Sequence, residues 1–272
     1  VFFICKEHRS NLINKIVKSG YKVIRLPLTL GNDLAYPSHA KWLGGSQKDD
    51  AKDTISFIRS LNIDWMIIDH YAIDEYWHTM IRPYVKHILV IDDLGDRKHE
   101  CDVLLDQNLG STEKKYQEFV SNGCELLLGP KYALLRPEFA EYRNESLERR
   151  KHVTEPKNIL VSLGGVDSQN ITTDVINELS KISSLANTRV NVVLGGQSKH
   201  INAVQMAVKK SCLEVTLHVD TLHMADLMCQ ADLAIGASGS SSWERCAIGL
   251  PSISFVIADN QMNIGLALEK AG

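Results

Sequence analysis

The sequence lacks the bulk features of proteins that bind membranes or nucleic acids. It has no uninterrupted apolar run of the roughly 20 residues that cross a bilayer, and no basic-then-apolar signal segment. It has no excess of positive charge either, since 30 Lys and Arg residues face 33 Asp and Glu residues, for a net charge of −3. We therefore expect no membrane and no nucleic acid as a partner, although a local basic pocket can still bind a phosphate.

Cysteine patterns and common catalytic motifs are also absent. The six Cys residues include no CxxC pair, show no zinc-ligand spacing and are too few to staple 272 residues. We expect reduced, mostly buried thiols in a cytoplasmic protein. The chain has no GxxxxGK[ST], GxGxxG, GxSxG or HExxH motif. ATP hydrolysis and a classical NAD site are therefore disfavoured.

The length of 272 residues favours two domains, at roughly 150 residues per domain. A composition of 44% hydrophobic and 23% charged residues is typical of a globular protein. The sequence does not begin with Met, and its last residues fall within a predicted helix. We therefore expect a fragment of a longer protein, truncated at both ends.

Short apolar runs alternate with amphipathic segments along most of the chain. Continuous apolar strands separated by helices predict an α/β protein with parallel sheets covered on both faces. The clearest predicted helices are 49–61, 171–179, 202–210 and 224–229, with further helices starting at Ser242 and Asn260. The predicted strands are 1–4, 22–26, 65–68, 87–91, 103–105, 125–128, 159–163, 190–194, 213–217, 233–235 and 252–257.

This alternation stops at 142–157, where the sequence reads YRNESLERRKHVTEPK. A charged stretch almost free of core residues predicts a solvated linker that is helical in part. It separates an N-terminal Rossmann-like domain, 1–145, from a C-terminal one, 156–272. Two such domains face a central cleft, and ligands of such sheets bind outside the carboxyl ends of the strands.

Two glycine- or serine-rich strand ends of the second half are candidate phosphate sites. Gly164 and Gly165 follow one strand and precede a helix, although a tight turn explains them equally well. The run 236–242, GASGSSS, opens a helix containing Glu244. Small residues and free N–H groups at a helix start form an anion cradle, and Glu244 can accept from ribose hydroxyls. The alternative is that Ser242 caps the helix and Glu244 complements its dipole.

A third strand end of the second half reads Ala258-Asp259-Asn260-Gln261. The Asn260 and Gln261 amides can bind sugar hydroxyls or N-acetyl groups, whereas Asp259 or Asn260 can simply cap the last helix.

In the first half, three strands end in polar residues. Asp69, His70 and Tyr71 are candidates for acid/base or orienting work, although a lone His there is more often structural. The pair Asp92-Asp93 looks like part of a metal site, but no third ligand stands at a fixed offset. The run 106–108, Asp-Gln-Asn, is a similar polar end.

These segments, taken in order, resemble one known family over nearly the whole chain. The family is that of the UDP-2,4-diacetamido-2,4,6-trideoxy-β-L-altropyranose hydrolases of pseudaminic acid biosynthesis. The resemblance rests on WLGGSQKDDA (42–51), IDHYAID (68–74), IDDLGDRKHECDVLLDQNL (91–109), GPKYALLRPEF (129–139), LVSLGG (160–165), ADLAIGASGSSSWERCAIGLP (231–251) and ADNQ (258–261).

The resemblance implies a two-domain GT-B fold, similar to the UDP-GlcNAc transferase of peptidoglycan lipid synthesis. It implies cytoplasmic hydrolysis of the anomeric C–O bond of a UDP-sugar with inversion, without metal or cofactor, releasing UDP and free sugar. It assigns Tyr71 and Asn260 to the sugar and the attacking water. It assigns the UDP to Gly164, Gly165, Asn170, Ser238, Gly239, Ser240, Ser241, Glu244 and Gln261, with the pyrophosphate on the serine loop and the ribose on Glu244.

The chain departs from the family at the catalytic base. The family base is a His in a GxGHxxR loop after the first strand, and that loop is absent here. His70 does not match it, and His78 stands where the family pattern predicts Glu. We expect this chain alone to be impaired. A GT-B glycosyltransferase using a UDP-sugar donor and a catalytically silent UDP-sugar-binding fragment remain the alternatives.

Overall fold

The computed structural model describes residues 1–9, 11–28 and 37–272. It divides the chain into two compact units, Val1–Tyr132 (unit 1) and Ala133–Gly272 (unit 2). Each unit is described here by itself.

Unit 1 contains two parallel sheets. The first pairs β1 (Phe2–Lys6) with β2 (Lys22–Leu26), and the second has four strands in chain order. Those four strands are β3 (Ile63–Ile68), β4 (Val85–Ile91), β5 (Val103–Asp106) and β6 (Glu125–Leu128). The helices are α1 (Ile13–Lys18), α2 (Gln47–Ile58), α3 (Glu75–Ile81) and α4 (Glu113–Tyr116), with short 3-10 helices at Ala40–Leu43, Arg82–Tyr84 and Pro130–Tyr132.

The core of unit 1 forms where the sheet of β3 to β6 packs against α2 and α3. Capping side chains start both helices, since Ser46 accepts the Asp49 N–H and Asp74 accepts the Tyr76 N–H at 2.9 Å. The fully buried apolar side chains of this core include Ile58, Ile81, Ile88, Leu104 and Tyr116. The carboxyl ends of β3, β4 and β5 therefore emerge side by side from a rigid base.

Unit 2 has a five-stranded parallel sheet in the order β11-β10-β7-β8-β9. Its strands are β7 (Asn158–Ser162), β8 (Arg189–Leu194), β9 (Glu214–Val219), β10 (Leu233–Ala237) and β11 (Ser252–Phe255). Its helices are α5 (Pro137–Arg150), α6 (Ile171–Leu179), α7 (Ile201–Lys210), α8 (Met224–Gln230), α9 (Ser241–Ala247) and α10 (Met262–Ala271), with 3-10 helices at Ser183–Leu185 and Asp259–Gln261.

The strand order of unit 2 reverses at its centre. The chain runs from β7 outward through β8 to β9, then crosses back to β10 on the other side of β7 and continues to β11. Connections on the two sides of β7 leave in opposite directions, so a crevice opens between the loops that follow β7 and β10. Open α/β sheets bind their ligands at such a switch point.

The strand prediction is confirmed within one or two residues, but the domain boundary lies elsewhere than predicted. Residues 142–150 are helical, as predicted for part of the linker, but they belong to α5, which packs against α8 and α9 within unit 2. The chain divides after Tyr132 rather than within 145–156. The charged side chains have partners there. Arg149 and Arg150 donate to main-chain carbonyls around the end of α8, including Cys229 O at 3.0 Å. Arg149 also pairs with Asp232 at 2.7 Å.

The structure also bears on the expectations for the cysteines and for membrane-spanning helices. All six cysteines are free thiols, but Cys212 and Cys246 are exposed, so the expectation of mostly buried thiols is only partly met. None of the helices in the described ranges has both the length and the apolar character for a membrane crossing. The helices α3 and α4 were not predicted, and α5 was predicted only as the helical part of a linker.

Candidate functional site

In unit 2, the loop after β7 approaches the loop after β8 through glycine. Gly164 has a φ of +87°, which glycine adopts at little cost. The Gly195 N–H donates to Gly165 O at 2.8 Å, and a β-carbon at Gly195 would come within 2.7 Å of that oxygen. The predicted glycine pair therefore serves a tight turn and exposes its backbone at the switch point. Gly195, which the sequence patterns did not single out, is needed for the same approach.

The end of this loop starts α6. The buried Asp167 accepts from the Ile171 and Thr172 N–H groups at 3.0 and 2.9 Å, which makes it the capping residue. Asn170 has a φ of +58°, and its amide oxygen accepts from the Thr173 hydroxyl at 2.8 Å. Asn170 thus lies at the edge of the switch point with its oxygen already engaged.

The loop after β10 offers three consecutive backbone donors. The N–H groups of Gly239, Ser240 and Ser241 have no acceptor among the described residues. Ser240 is exposed, and Gly239 and Ser241 are half-buried. Successive free N–H groups in a tight loop form a concave site for an anion. This arrangement supports the predicted cradle.

Ser238 differs from its neighbours in this loop. Its N–H donates to Phe255 O at 2.8 Å, as part of the packing of β10 on β11. Its hydroxyl is buried, and a β-carbon at Gly265 of α10 would lie 3.4 Å from it. The Ser238 N–H therefore serves the sheet, and its buried hydroxyl has no hydrogen-bond partner among the described residues.

Glu244 lies in α9, on the turn that follows the cradle. Its half-buried carboxylate has no hydrogen bond and no ion pair within the described part of the chain. Burial raises its pKa, while Arg136 and Arg245 lower it. A partly desolvated acceptor without a partner is suited to bind hydroxyl donors of a ligand.

Arg245 is a residue that sequence reasoning missed. Only 3% of it is exposed, although it follows Glu244 directly. Its guanidinium lies under the cradle and donates to Ala237 O at 2.9 Å and to the hydroxyls of Ser241 and Ser242 at 3.1 and 3.0 Å. The sequence offers no signal for this, because the direction of a side chain from a seven-residue helix depends on what packs around it.

Gln261 ties two of the loops together. Its amide oxygen accepts from the Ile257 N–H at 3.1 Å, and a β-carbon at Gly239 would come within 3.5 Å of its amide nitrogen. Gln169 reaches the same segment by donating to Ile257 O at 3.4 Å. Asn260 lies in the short helix Asp259–Gln261, and its side chain is outside what the structure describes.

In unit 1, Tyr71 and Asp93 form the centre of a polar network. The Tyr71 hydroxyl donates to Asp93 Oδ1 at 2.7 Å, and Asn108 donates to Asp93 Oδ2 at 3.2 Å. Lys115 donates to the Asp93 carbonyl at 2.6 Å. Burial and the bond to Asp93 raise the pKa of Tyr71, so the phenol stays protonated at neutral pH. Asp93 thereby orients Tyr71, a role that the sequence did not reveal.

The ring of Tyr71 is part of an aromatic group. The His39 and Trp42 rings lie 5.5 and 5.9 Å from it, and the Arg97 guanidinium lies 5.8 Å from its centroid. Trp42 is 57% exposed. Tyr71 is therefore held by packing on its face as well as by hydrogen bonding at its hydroxyl.

The other polar strand ends of unit 1 have structural partners. His70 Nδ1 accepts from the Ala72 N–H at 3.1 Å, which stabilises the turn after β3. Asp92 forms a fully buried ion pair with Arg97 at 2.7 Å, so it faces away from Asp93. The buried Asp106 accepts from Lys115 and Tyr116, each at 2.9 Å. His78 is buried on α3.

Asp69 is exposed beside this network. Partial burial of its carboxyl group and the negative charge of the nearby Asp93 raise the pKa of Asp69. Across residues 1–9, 11–28 and 37–272, no group of three or more His, Cys, Asp or Glu side chains has the arrangement of a metal site.

Comparison with known proteins gives distant relatives. No family model matches the chain. It is 28% identical to an uncharacterised protein of Methanocaldococcus jannaschii, over 93% of this chain and 47% of that protein. It is 24% identical to the UDP-2,4-diacetamido-2,4,6-trideoxy-beta-L-altropyranose hydrolase of Campylobacter jejuni, over 91% and 85%. It is 29% identical to the spore coat polysaccharide biosynthesis protein SpsG of Bacillus subtilis, over 69% and 65%. The chain thus spans less than half of the first of these relatives.

Among solved structures, MurG of Acinetobacter baumannii matches all of this chain and 76% of its own length, with a TM-score of 0.58 and 13% identity. At that identity the likeness concerns the fold alone. It confirms the predicted fold class, an α/β protein with parallel sheets of the GT-B type. The chain is distantly similar to a nucleotide-sugar hydrolase and shares the fold of a GT-B glycosyltransferase.

Proposed function

We propose that the function of this chain is metal-independent nucleotide-sugar hydrolysis. In this proposal the substrate is a UDP-linked 2,4-diacetamido-2,4,6-trideoxy sugar, as in the Campylobacter jejuni relative. Water attacks the anomeric carbon from the face opposite UDP, the anomeric C–O bond breaks, and UDP and free sugar leave. The product sugar then serves the synthesis of pseudaminic acid.

One observation carries the nucleotide half of this proposal. Three unsatisfied N–H groups, from Gly239, Ser240 and Ser241, lie at the switch point of the unit 2 sheet, and the unpartnered Glu244 carboxylate follows them on α9. The N–H groups suit a diphosphate, and the carboxylate suits the two hydroxyls of a ribose. Gly164 and Gly165 bring a second strip of backbone to the same crevice.

The same donors would stabilise the leaving group. UDP carries growing negative charge on its bridging oxygen as the bond breaks, and preorganised N–H groups lower the energy of that state. The attacking water must also lose a proton to a general base as its oxygen bonds to the anomeric carbon. In the family that the chain resembles this base is a His of a GxGHxxR loop, which the 272 residues do not contain. Tyr71 and Asn260 are the proposed contributions of this chain at the sugar and the water, with Asp93 orienting the phenol.

The test is UDP release without an acceptor. The enzyme with its native upstream and downstream sequence is incubated with the UDP-sugar, and UDP and free sugar are followed by ion-exchange chromatography and NMR. Equal amounts of UDP and free sugar are expected with no acceptor present. UDP release that requires an acceptor would refute hydrolysis and identify a glycosyltransferase, for which the shared fold is the supporting observation. The 272-residue chain should bind UDP by calorimetry even if its turnover is low.

A further inference from the structure

Arg245 and Arg97 are the two buried arginines of the described residues, and they differ in their partners. Arg97 pairs with Asp92 at 2.7 Å. Within the described ranges, no carboxylate forms an ion pair with Arg245. A guanidinium does not lose its proton in proteins, so a full positive charge lies buried there. The carboxylate of Glu244 is its charged neighbour in sequence, yet the two do not bond.

All the acceptors of Arg245 are neutral. They are Ala237 O and the hydroxyls of Ser241, Ser242 and Ser254, the last at 3.4 Å. Burial lowers the pKa of Arg245, which reflects the cost of holding the charge away from water. Buried charges in proteins are normally paired, and an isolated one is costly. The position is therefore occupied by a cation that no carboxylate of the described residues bonds, and Glu244 acts on it only through space.

The small residues of the loop make room for this cation. A β-carbon at Gly236 would lie 2.6 Å from a terminal nitrogen of Arg245. From the fifth position of α9 the side chain reaches back to Ser241 and Ser242, at the start of the helix. Ser241 links the two sets of groups, because its hydroxyl accepts from Arg245 and its N–H is one of the three unsatisfied donors.

We propose that Arg245 is a positioning residue for a diphosphate: it holds the 239–241 loop in its binding conformation from below and supplies the positive charge that favours a diphosphate over a neutral ligand. This inference rests on the proposed function, because it assumes that UDP binds at the switch point. It assigns a charge-selective role to a residue that does not touch the ligand directly.

The test compares the binding of UDP with the binding of uridine in the unaltered 272-residue chain and in three variants of it. Arg245→Gln keeps hydrogen-bonding capacity but removes the positive charge. Arg245→Lys keeps the positive charge but lacks the planar set of guanidinium N–H donors. The matched control is Arg150→Gln, since Arg150 also donates to main-chain carbonyls of unit 2, at Met228, Ala231 and Ile248, and bonds to none of residues 236–242. Dissociation constants are measured by calorimetry for UDP and by ligand-observed NMR for uridine, after circular dichroism has established folding.

Arg245→Gln is expected to weaken UDP binding about tenfold and uridine binding less than twofold. Arg245→Lys should recover part of the UDP affinity, and Arg150→Gln should leave the ratio of the two constants unchanged. Equal losses for UDP and uridine, or no loss, would overturn the inference. Unfolding of both Arg245 variants would assign the residue to the fold alone and overturn it as well. Absence of UDP binding by the unaltered chain would instead refute the proposed function.

Discussion

Acid should destabilise unit 1 through a buried histidine pair. His99 is only 2% exposed, and neither of its ring nitrogens has a hydrogen-bond partner among the described residues. Its ring stacks on that of the buried His78, with centroids 5.4 Å apart. Burial lowers the pKa of His99 to about 4, although Asp92 opposes this, and burial and His99 hold the pKa of His78 well below its usual value.

The direction in which stability changes with pH follows from which state of the protein takes up more protons. An unfolded histidine binds its proton near pH 6.5, whereas His99 in the folded unit stays neutral until about pH 4. The unfolded state therefore binds more protons between these values, and stability falls as the pH falls through that window. From His99 alone the loss is about 3 kcal/mol over the whole window and about 2 kcal/mol at pH 5. His78 adds a loss in the same direction.

Urea unfolding at pH 7 and pH 5 measures this loss, with amide hydrogen exchange on peptides of β4 and β5 reporting on unit 1. The chain should lose about 2 kcal/mol or more on acidification, and His99→Gln should lose about 2 kcal/mol less than that. His87→Gln is the matched control, because His87 is exposed on β4 and should leave the pH dependence unchanged. The same pH dependence in the chain and in His99→Gln would refute the reasoning.

Four further substitutions test other parts of the structure. Glu244→Gln should weaken UDP binding about tenfold but hardly change binding of the 2′-deoxy nucleotide, measured by calorimetry; equal losses would move the ribose elsewhere. Tyr71→Phe and Asp93→Asn should each lower kcat of the complete enzyme at unchanged UDP affinity, and an unchanged kcat would exclude the network from catalysis. Asp232→Asn should lower the free energy of unfolding by about 2 kcal/mol in urea, since it weakens the ion pair with Arg149. Asp259→Asn is the control, because Asp259 is exposed, and it should lower the free energy of unfolding far less.

The proposed site could be predicted from the sequence only in part. The glycines at 164 and 165 and the run 236–242 are recognisable because glycine, serine and a helix start together suggest a phosphate site. The roles of their members are not recognisable, because they depend on hydrogen bonds from distant residues. The N–H of Ser238 donates to the carbonyl of Phe255, and Gly236 leaves room for the guanidinium of Arg245.

The predicted linker shows that the fold, too, could be predicted from the sequence only in part. Residues 142–157 are polar enough to read as solvated, and local sequence contains nothing to contradict that reading. Arg149 and Arg150 nevertheless bond to carbonyls of residues more than 70 positions away. Polar residues form an interface when main-chain acceptors face them, and helix ends provide such acceptors.

The sequence by itself determined the alternation of strands and helices, the parallel sheets and the chemistry available at each strand end, because apolar periodicity and residue type are local properties. Only the tertiary structure decided the strand order, which locates the switch point between β7 and β10, and the pairing of Tyr71 with Asp93 across 22 residues. It also decided that Arg245 is buried with neutral hydrogen-bond acceptors only. Burial and pairing are properties of neighbours in space, and the order of residues in the chain does not specify them one position at a time.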